Sequence, residues 1–261
     1  MSDGELARVQ DEMARLRAEL ARVQDELARV QDEFQRSQRE FERFGSVAGH
    51  DLAQPLQVAF GYLEMVRSEF GDSIDPLAAE WLGTAKKSLE KMRRLVQEIM
   101  VFASTGKTDL VKSAVDLRLA TELAVGATAT LIEERAAMIE VLDLPAVGGS
   151  EHELSLVLRH LVANAVRYVP EGVSPHVRVS AEAAESGVII NVDDNGTGIR
   201  EDLRERVFDT FQRACKNEQS GNGLGLATCR RVVIRHGGHI WIEASELGGA
   251  RFRFFVPIDL P

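Results

Sequence analysis

Between residues 6 and 44 the chain repeats itself every seven residues: LARVQDE, MARLRAE, LARVQDE, LARVQDE, FQRSQRE, then FERF. Leu6, Met13, Leu20, Leu27, Phe34 and Phe41 form one row, and Val9, Leu16, Val23, Val30, Ser37 and Phe44 form a second, three residues on. Alternating steps of three and four, with charged and amide residues on every other face, predict a left-handed coiled coil over residues 1–45 rather than an amphipathic helix on a globular core. With Leu6 at position a, the g positions carry Glu12, Glu19, Glu26, Glu33 and Glu40, and the e positions carry Gln10, Arg17, Gln24, Gln31 and Gln38. A parallel pair sets Glu against Gln or Arg, whereas an antiparallel pair sets Glu against Glu. A parallel homodimer is therefore expected, and Leu at a with β-branched residues at d leaves a higher oligomer open.

Residues 46–105 read as two further helices. Leu52, Leu56, Ala59, Leu63, Val66 and Phe70 mark the first seam, and Leu82, Ala85, Leu89, Met92, Val96, Ile99 and Ala103 the second. GDSIDP, at 71–76, is the turn between them. Two apolar-seamed helices joined by a short turn make an αα-hairpin, and two copies would close a four-helix bundle. Phe44 and Leu52 are eight residues apart, not seven, so the register slips by one where Gly45 and Gly49 lie. In the new register His50 falls off the seam and should be exposed. Pro55 cannot donate to the carbonyl of Asp51, so a bend is expected there.

After the linker GKTD the pattern changes. VRVSAEA (177–183), GVIINVDD (187–194), HIWIEASE (239–246) and ARFRFFVPI (250–258) alternate with period two. Residues 110–261 thus read as an α/β domain with antiparallel hairpins. The 261 residues suffice for these parts, and a net charge of −10 without a basic block argues against nucleic acid. No run approaches the ~20 apolar residues of a membrane span, and the acidic start MSDGELARVQDE lacks a secretory h-region. Cys215 and Cys229 form neither a disulfide framework nor a zinc spacing, as expected of a cytoplasmic protein.

Three motifs in the α/β part carry chemistry. Asp194-Asn-Gly-Thr-Gly-Ile199 ends a strand, Gly221-Asn-Gly-Leu-Gly-Leu226 opens a helix, and His160-Leu-Val-Ala-Asn164-Ala-Val-Arg167-Tyr168 lies on a helix. Glycine-rich turns admit phosphate oxygens to backbone N–H groups, and a helix start at Gly225 adds a favourable dipole. A strand-end carboxylate can accept from an adenine amino group, and an Asn oxygen suits Mg²⁺. Neither a Rossmann GxGxxG nor a P-loop GK[ST] is present.

Asn164 with Arg167 and Tyr168, DDNGTGI, VFDTFQRA (207–214) and GNGLGLAT together resemble the ATP-binding domain shared by sensor histidine kinases, DNA gyrase and related ATPases. GHDLAQPL resembles the phosphoacceptor box of HisKA-type histidine kinases, including phytochrome-like ones. The resemblance spans about residues 45–258. It implies a multi-domain kinase: an all-α coiled coil and dimeric four-helix bundle, then an α/β sandwich that binds ATP and Mg²⁺. It implies that Asp194 contacts adenine, with Gly196, Gly198 and Ile199 shaping that pocket, and that Asn164 holds Mg²⁺. Arg167 and Tyr168 would flank the nucleotide, and Phe208 and Phe211 would anchor a lid. Arg213 would approach the phosphates, and Gly221, Gly223, Leu224 and Gly225 would close over them. Relatives that hydrolyse ATP place Glu four residues before the Asn; His160 stands there instead, either lining the site or ligating metal, and transfer to a protein group is favoured over hydrolysis.

The expected reaction is autophosphorylation of His50, with Asp51 accepting from one ring nitrogen while the other attacks the γ-phosphoryl group. The resemblance adds transfer to an aspartate of a response regulator, and an upstream sensor protein as a further partner. Gln54, one turn after His50, stands where many relatives have Thr or Asn, so altered phosphatase activity is expected. Gly49 is expected to clear space for the nucleotide beside His50. Two other readings remain: a silent dimeric scaffold, and a related kinase acting on another side chain. His236-Gly-Gly-His239 has H-x-x-H spacing, but a helix end before a strand explains it better than metal.

Overall fold

A computed structural model describes residues 13, 19, 20, 22, 24, 26, 29, 45, 49–106, 110–212 and 221–258. The expected coiled coil lies almost wholly outside the described residues, as do Arg213 and Cys215. Helix α1 occupies residues 49–70 and runs unbroken through Pro55. A 3₁₀ turn, Gly71–Ser73, leads to α2, Pro76–Ser104. Asp75 caps α2, its carboxylate accepting from the Leu77 N–H at 2.9 Å, and Pro76 takes the first helical position, where no N–H is needed.

The hairpin is held by close contact at one end and left open at the other. A Cβ on Gly45 would lie 2.7 Å from the Cβ of Ala103, and one on Gly49 would strike the side chain of Met100. These glycines therefore let α1 approach α2. This corrects the expectation for Gly49, which faces Met100 rather than clearing room for a nucleotide. Towards the turn, Ala59, Leu63 and Val66 of α1 and Ala85, Leu89 and Met92 of α2 line an open apolar groove. These are seam residues from both helices, yet one chain does not cover them.

The α/β part begins with β1 (Ser113–Asp116), α3 (Leu117–Gly126), α4 (Ala129–Glu134), β2 (Met138–Val141) and β3 (Ala146–Gly149). It continues with α5 (Glu151–Arg167), β4 (His176–Ala184), β5 (Gly187–Asp194), α6 (Gly225–Arg235), β6 (His239–Ala244) and β7 (Ala250–Pro257). Five strands form one sheet in the order β2-β4-β5-β7-β6, with β2 parallel to β4 and the other pairs antiparallel; β1 and β3 pair separately.

The period-two pattern sorts the faces. Along β7, Ala250, Phe252, Phe254 and Val256 point into the core, while Arg251 and Arg253 point out. The inner face packs against Leu154, Val157, Leu158, Leu161 and Val162 of α5 and Cys229, Val232 and Val233 of α6. Charge pairs cover the outer face: Arg251 to Asp193 at 2.6 Å, Arg253 to Glu182 at 2.6 Å and Arg178 to Glu140 at 2.8 Å. The result is a two-layer sandwich, with the C-terminal end of α5, the end of β5 and the start of α6 converging at one edge.

Candidate active site

At that edge lies an open cavity. Its most constrained element is Asp194, the last residue of β5. Its Oδ1 accepts from the backbone N–H groups of Gly196 and Ala250, both at 2.9 Å, and its backbone carbonyl accepts from the Gly249 N–H at 3.1 Å. A Cβ on Gly249 would strike Oδ1 and the Gly196 nitrogen, and one on Gly196 would lie 2.6 Å from the Tyr168 carbonyl oxygen. Only glycine fits either place. Burial raises the Asp194 carboxyl from its ordinary 3.8 to about 6, against the two backbone hydrogen bonds and with a small push from Asp193.

Tyr168 ties the two halves of the cavity together. Its carbonyl accepts from the Thr197 N–H and its hydroxyl accepts from the Gly221 N–H, both at 3.0 Å. On the far side α6 begins at Gly225 with no side-chain cap, so its first N–H groups are available to an anion. A Cβ on Gly225 would lie 3.1 Å from His160 Nδ1. Burial, with Arg159 and Arg167 nearby, lowers His160 to about 4, so its ring is neutral near pH 7. Its Nε2 is buried without a hydrogen-bond partner.

Asn164, Arg167, Tyr168, Asp194, Gly198, Ile199, Gly221, Gly223 and Gly225 all line this one cavity. Gly196 stands behind Asp194 as its donor. Leu224 is fully buried beneath the cavity, and Phe208 is nearly so. Phe211 does not line it: half-exposed at φ +62°, it donates its N–H to the Gly223 carbonyl at 2.9 Å and braces the glycine segment from outside. His50 and Asp51 are elsewhere, on α1. The His50 side chain is 76% exposed, and its Nδ1 lies 3.5 Å from Asp51 Oδ1, at the outer limit of a hydrogen bond.

Residues 149–260 match the family of histidine kinase-, DNA gyrase B- and HSP90-like ATPases. The phytochrome-like protein Cph1 of Synechocystis sp. is 30% identical over 83% of this chain and 29% of its own length. The adaptive-response sensory kinase SasA of Synechococcus sp. is 30% identical over 80% of this chain and 57% of its own. Residues 149–260 thus form a domain of that ATPase family, and the chain as a whole is similar to sensor histidine kinases. It spans less than two thirds of the length of these relatives. Full-length ShkA, solved in complex with AMPPNP, shares the fold at a TM-score of 0.62 and 23% identity, over 84% of this chain and 47% of that one.

Several residues of the site were not evident from the sequence. Thr197 and Asn222 sit inside motifs already recognised. Ala250 and Phe252 come from β7, and Gly249, between two strands, packs directly on Asp194. The least expected is Glu98, which reaches the cavity from α2. An acid inside the apolar run LVQEIMVFA was the available signal. The H-x-x-H pair does not converge. His236 is buried, with Nδ1 donating to the Val232 carbonyl at 2.8 Å and Nε2 accepting from the Ser150 N–H at 3.1 Å, whereas exposed His239 stacks on Trp241.

Proposed function

We propose that this protein is an ATP-dependent protein histidine kinase that phosphorylates its own His50. One observation carries the reading: one chain joins the glycine-rimmed cavity of the α/β part to a hairpin that displays an exposed His50. The parts would be a coiled coil over 1–45, a dimerisation and phosphoacceptor hairpin over 46–105, and an ATP-binding catalytic domain over 110–261.

In this reading the Asp194 carboxylate accepts from the adenine amino group, because its Oδ1 is already fixed by two backbone donors and the second oxygen is left for the ligand. Gly196, Gly198 and Ile199 shape the adenine pocket. Arg167, Tyr168, Gly221, Gly223, Leu224 and Gly225 enclose the phosphates, joined by Arg213. The uncapped start of α6 stabilises their charge. The Asn164 amide oxygen suits a hard divalent cation, and the described residues contain no cluster of three His, Cys, Asp or Glu side chains that would hold one alone. Asn164 would therefore hold Mg²⁺ jointly with phosphate oxygens, and the ion, when bound, neutralises charge on the transferring group.

Asp51 accepts from Nδ1–H of His50 and keeps the Nε2 lone pair free. Nε2 forms the bond to the γ-phosphorus as the bond to the β,γ-bridging oxygen breaks, leaving ADP, and the surplus ring proton passes to Asp51 or water. Catalysis is then mostly positioning and charge stabilisation. The phosphoryl group passes on to an aspartate of a response regulator receiver domain.

The open groove at Ala59, Leu63, Val66, Ala85, Leu89 and Met92 supports a homodimer, since a second hairpin would cover the seam residues that one chain leaves bare. The coil would reinforce that pairing and pass on a signal from an upstream sensor protein. No described helix is long and apolar enough to cross a membrane. A cytoplasmic setting is part of the proposal, in keeping with the sparse cysteines.

The test is incubation with γ-labelled MgATP, comparing wild type with His50→Gln and Asn164→Ala. The expected result is acid-labile label in the wild type, lost in both variants. Label that persists without His50 would point to another acceptor, and absence of label would point to a scaffold.

A further inference from the structure

Glu98 is the only residue of the hairpin among the described residues lining the cavity, and its surroundings are those of a phosphate oxygen. Burial pushes the Glu98 carboxyl above its ordinary value, against a hydrogen bond with the Asn222 side chain, inside the glycine-rich segment, and the nearby cations Arg167, Arg94 and Arg159. Its second oxygen, Oε2, is buried with no hydrogen-bond partner. A buried carboxylate oxygen without a donor is costly, so this contact is poised to break when a better-matched anion arrives.

We propose that Glu98 is a phosphate surrogate carried by the hairpin: it docks the cavity onto α2, and the phosphates of an incoming nucleoside triphosphate compete with it for Asn222 and Arg167. The inference rests on the ATP-binding reading above. The docked contact is reinforced by the Arg231 guanidinium over the Phe102 ring at 5.3 Å, one turn further along α2. Met100, two residues after Glu98, faces Gly49. Two residues on a helix point about 200° apart, so Glu98 leaves α2 on the side away from α1. The docked cavity thus sits on the flank opposite the Gly49 contact, a holding position rather than one aimed at the histidine. Nucleotide phosphates that displace Glu98 release the catalytic domain for transfer. Loading and release become one event, and by linkage a docked domain binds nucleotide more weakly than a free one.

The experiment measures binding of AMPPNP with Mg²⁺ to the full chain by calorimetry, for wild type, Glu98→Gln and Glu98→Ala. Hydrogen exchange across residues 94–102 is followed with and without nucleotide. Both variants should bind about tenfold more tightly, within the usual range of coupling between sites. Nucleotide should speed exchange in the wild-type segment, and in the variants exchange should already be fast without it. Binding that is equal or weaker in the variants, or wild-type exchange unmoved by nucleotide, overturns the proposal while leaving the ATP reading intact. Failure of wild type and variants alike to bind AMPPNP overturns both.

Discussion

The hairpin and the α/β part use the same raw material, apolar residues at regular spacing, to opposite ends. In the α/β part Phe254, Leu154, Leu158 and Leu161 are fully buried by neighbours from the same chain. In the hairpin Tyr62 and Trp81 are 63% and 64% exposed, and Met92 is 45% exposed. The sheet closes its own core, because helices return over it within the chain. The hairpin offers half a core. A chain built this way has one part whose stability is its own and one that, in the homodimer proposed above, would draw its stability from a second copy.

The largest expected effect breaks the self-sufficient side. Phe254→Ala should cost the α/β part about 3–5 kcal/mol, independent of protein concentration, measured by denaturant unfolding. An effect below about 1 kcal/mol would show that the sheet core is not what holds this part. Next, Leu89→Asp puts a carboxylate on the groove floor. Amide exchange in α1 and α2 should speed up on the order of 100-fold, while β5 and β7 stay protected. Equal loosening of both parts would erase the contrast. Wild-type hairpin protection should also rise with protein concentration.

Gly249→Ala probes the site rather than the core. The added methyl meets Asp194 Oδ1, so stability should fall by about 1–3 kcal/mol and nucleotide affinity should fall with it. Retained affinity would mean that Asp194 is not the adenine contact. The smallest effect is a pH slope. Burial lowers His160 to about 4 and lowers His236 as well. The unfolded chain takes up these protons first, so stability is fully present above the ordinary histidine value of 6.5 and declines as pH falls below it. Asp194 acts in the opposite sense: raised to about 6, it stabilises most below its ordinary 3.8, a contribution lost as pH rises through about 6. His160→Asn should therefore flatten the acid limb of the stability profile. An unchanged slope would contradict the buried, neutral ring.

What the sequence disclosed follows from how far apart the cooperating residues lie. The longer strands β4, β6 and β7 show as alternation because one face of each is the more buried, and β5, buried along nearly its whole length, shows as an apolar run. The four-residue strands SAVD, MIEV and AVGG do not, being too short for a period to emerge. The cavity's own motifs were legible because turn glycines and their Asp or Asn sit together in the chain. Glu98 and Gly249 were not, because tertiary contact alone brings them to Asn222 and Asp194. Gly45 and Gly49 were visible as breakers, but their purpose, contact with Ala103 and Met100, needed the second helix in place.

The central claim is that the cavity serves His50, and mapping the phosphate tests it most directly. The full chain is incubated with MgATP, digested under alkaline conditions, and the peptide spanning residues 45–57 is sequenced by mass spectrometry. The account predicts a single phosphoryl group on His50, stable to base and lost in acid. Phosphate on another residue, or an unmodified peptide from a chain shown to bind ATP, would contradict it.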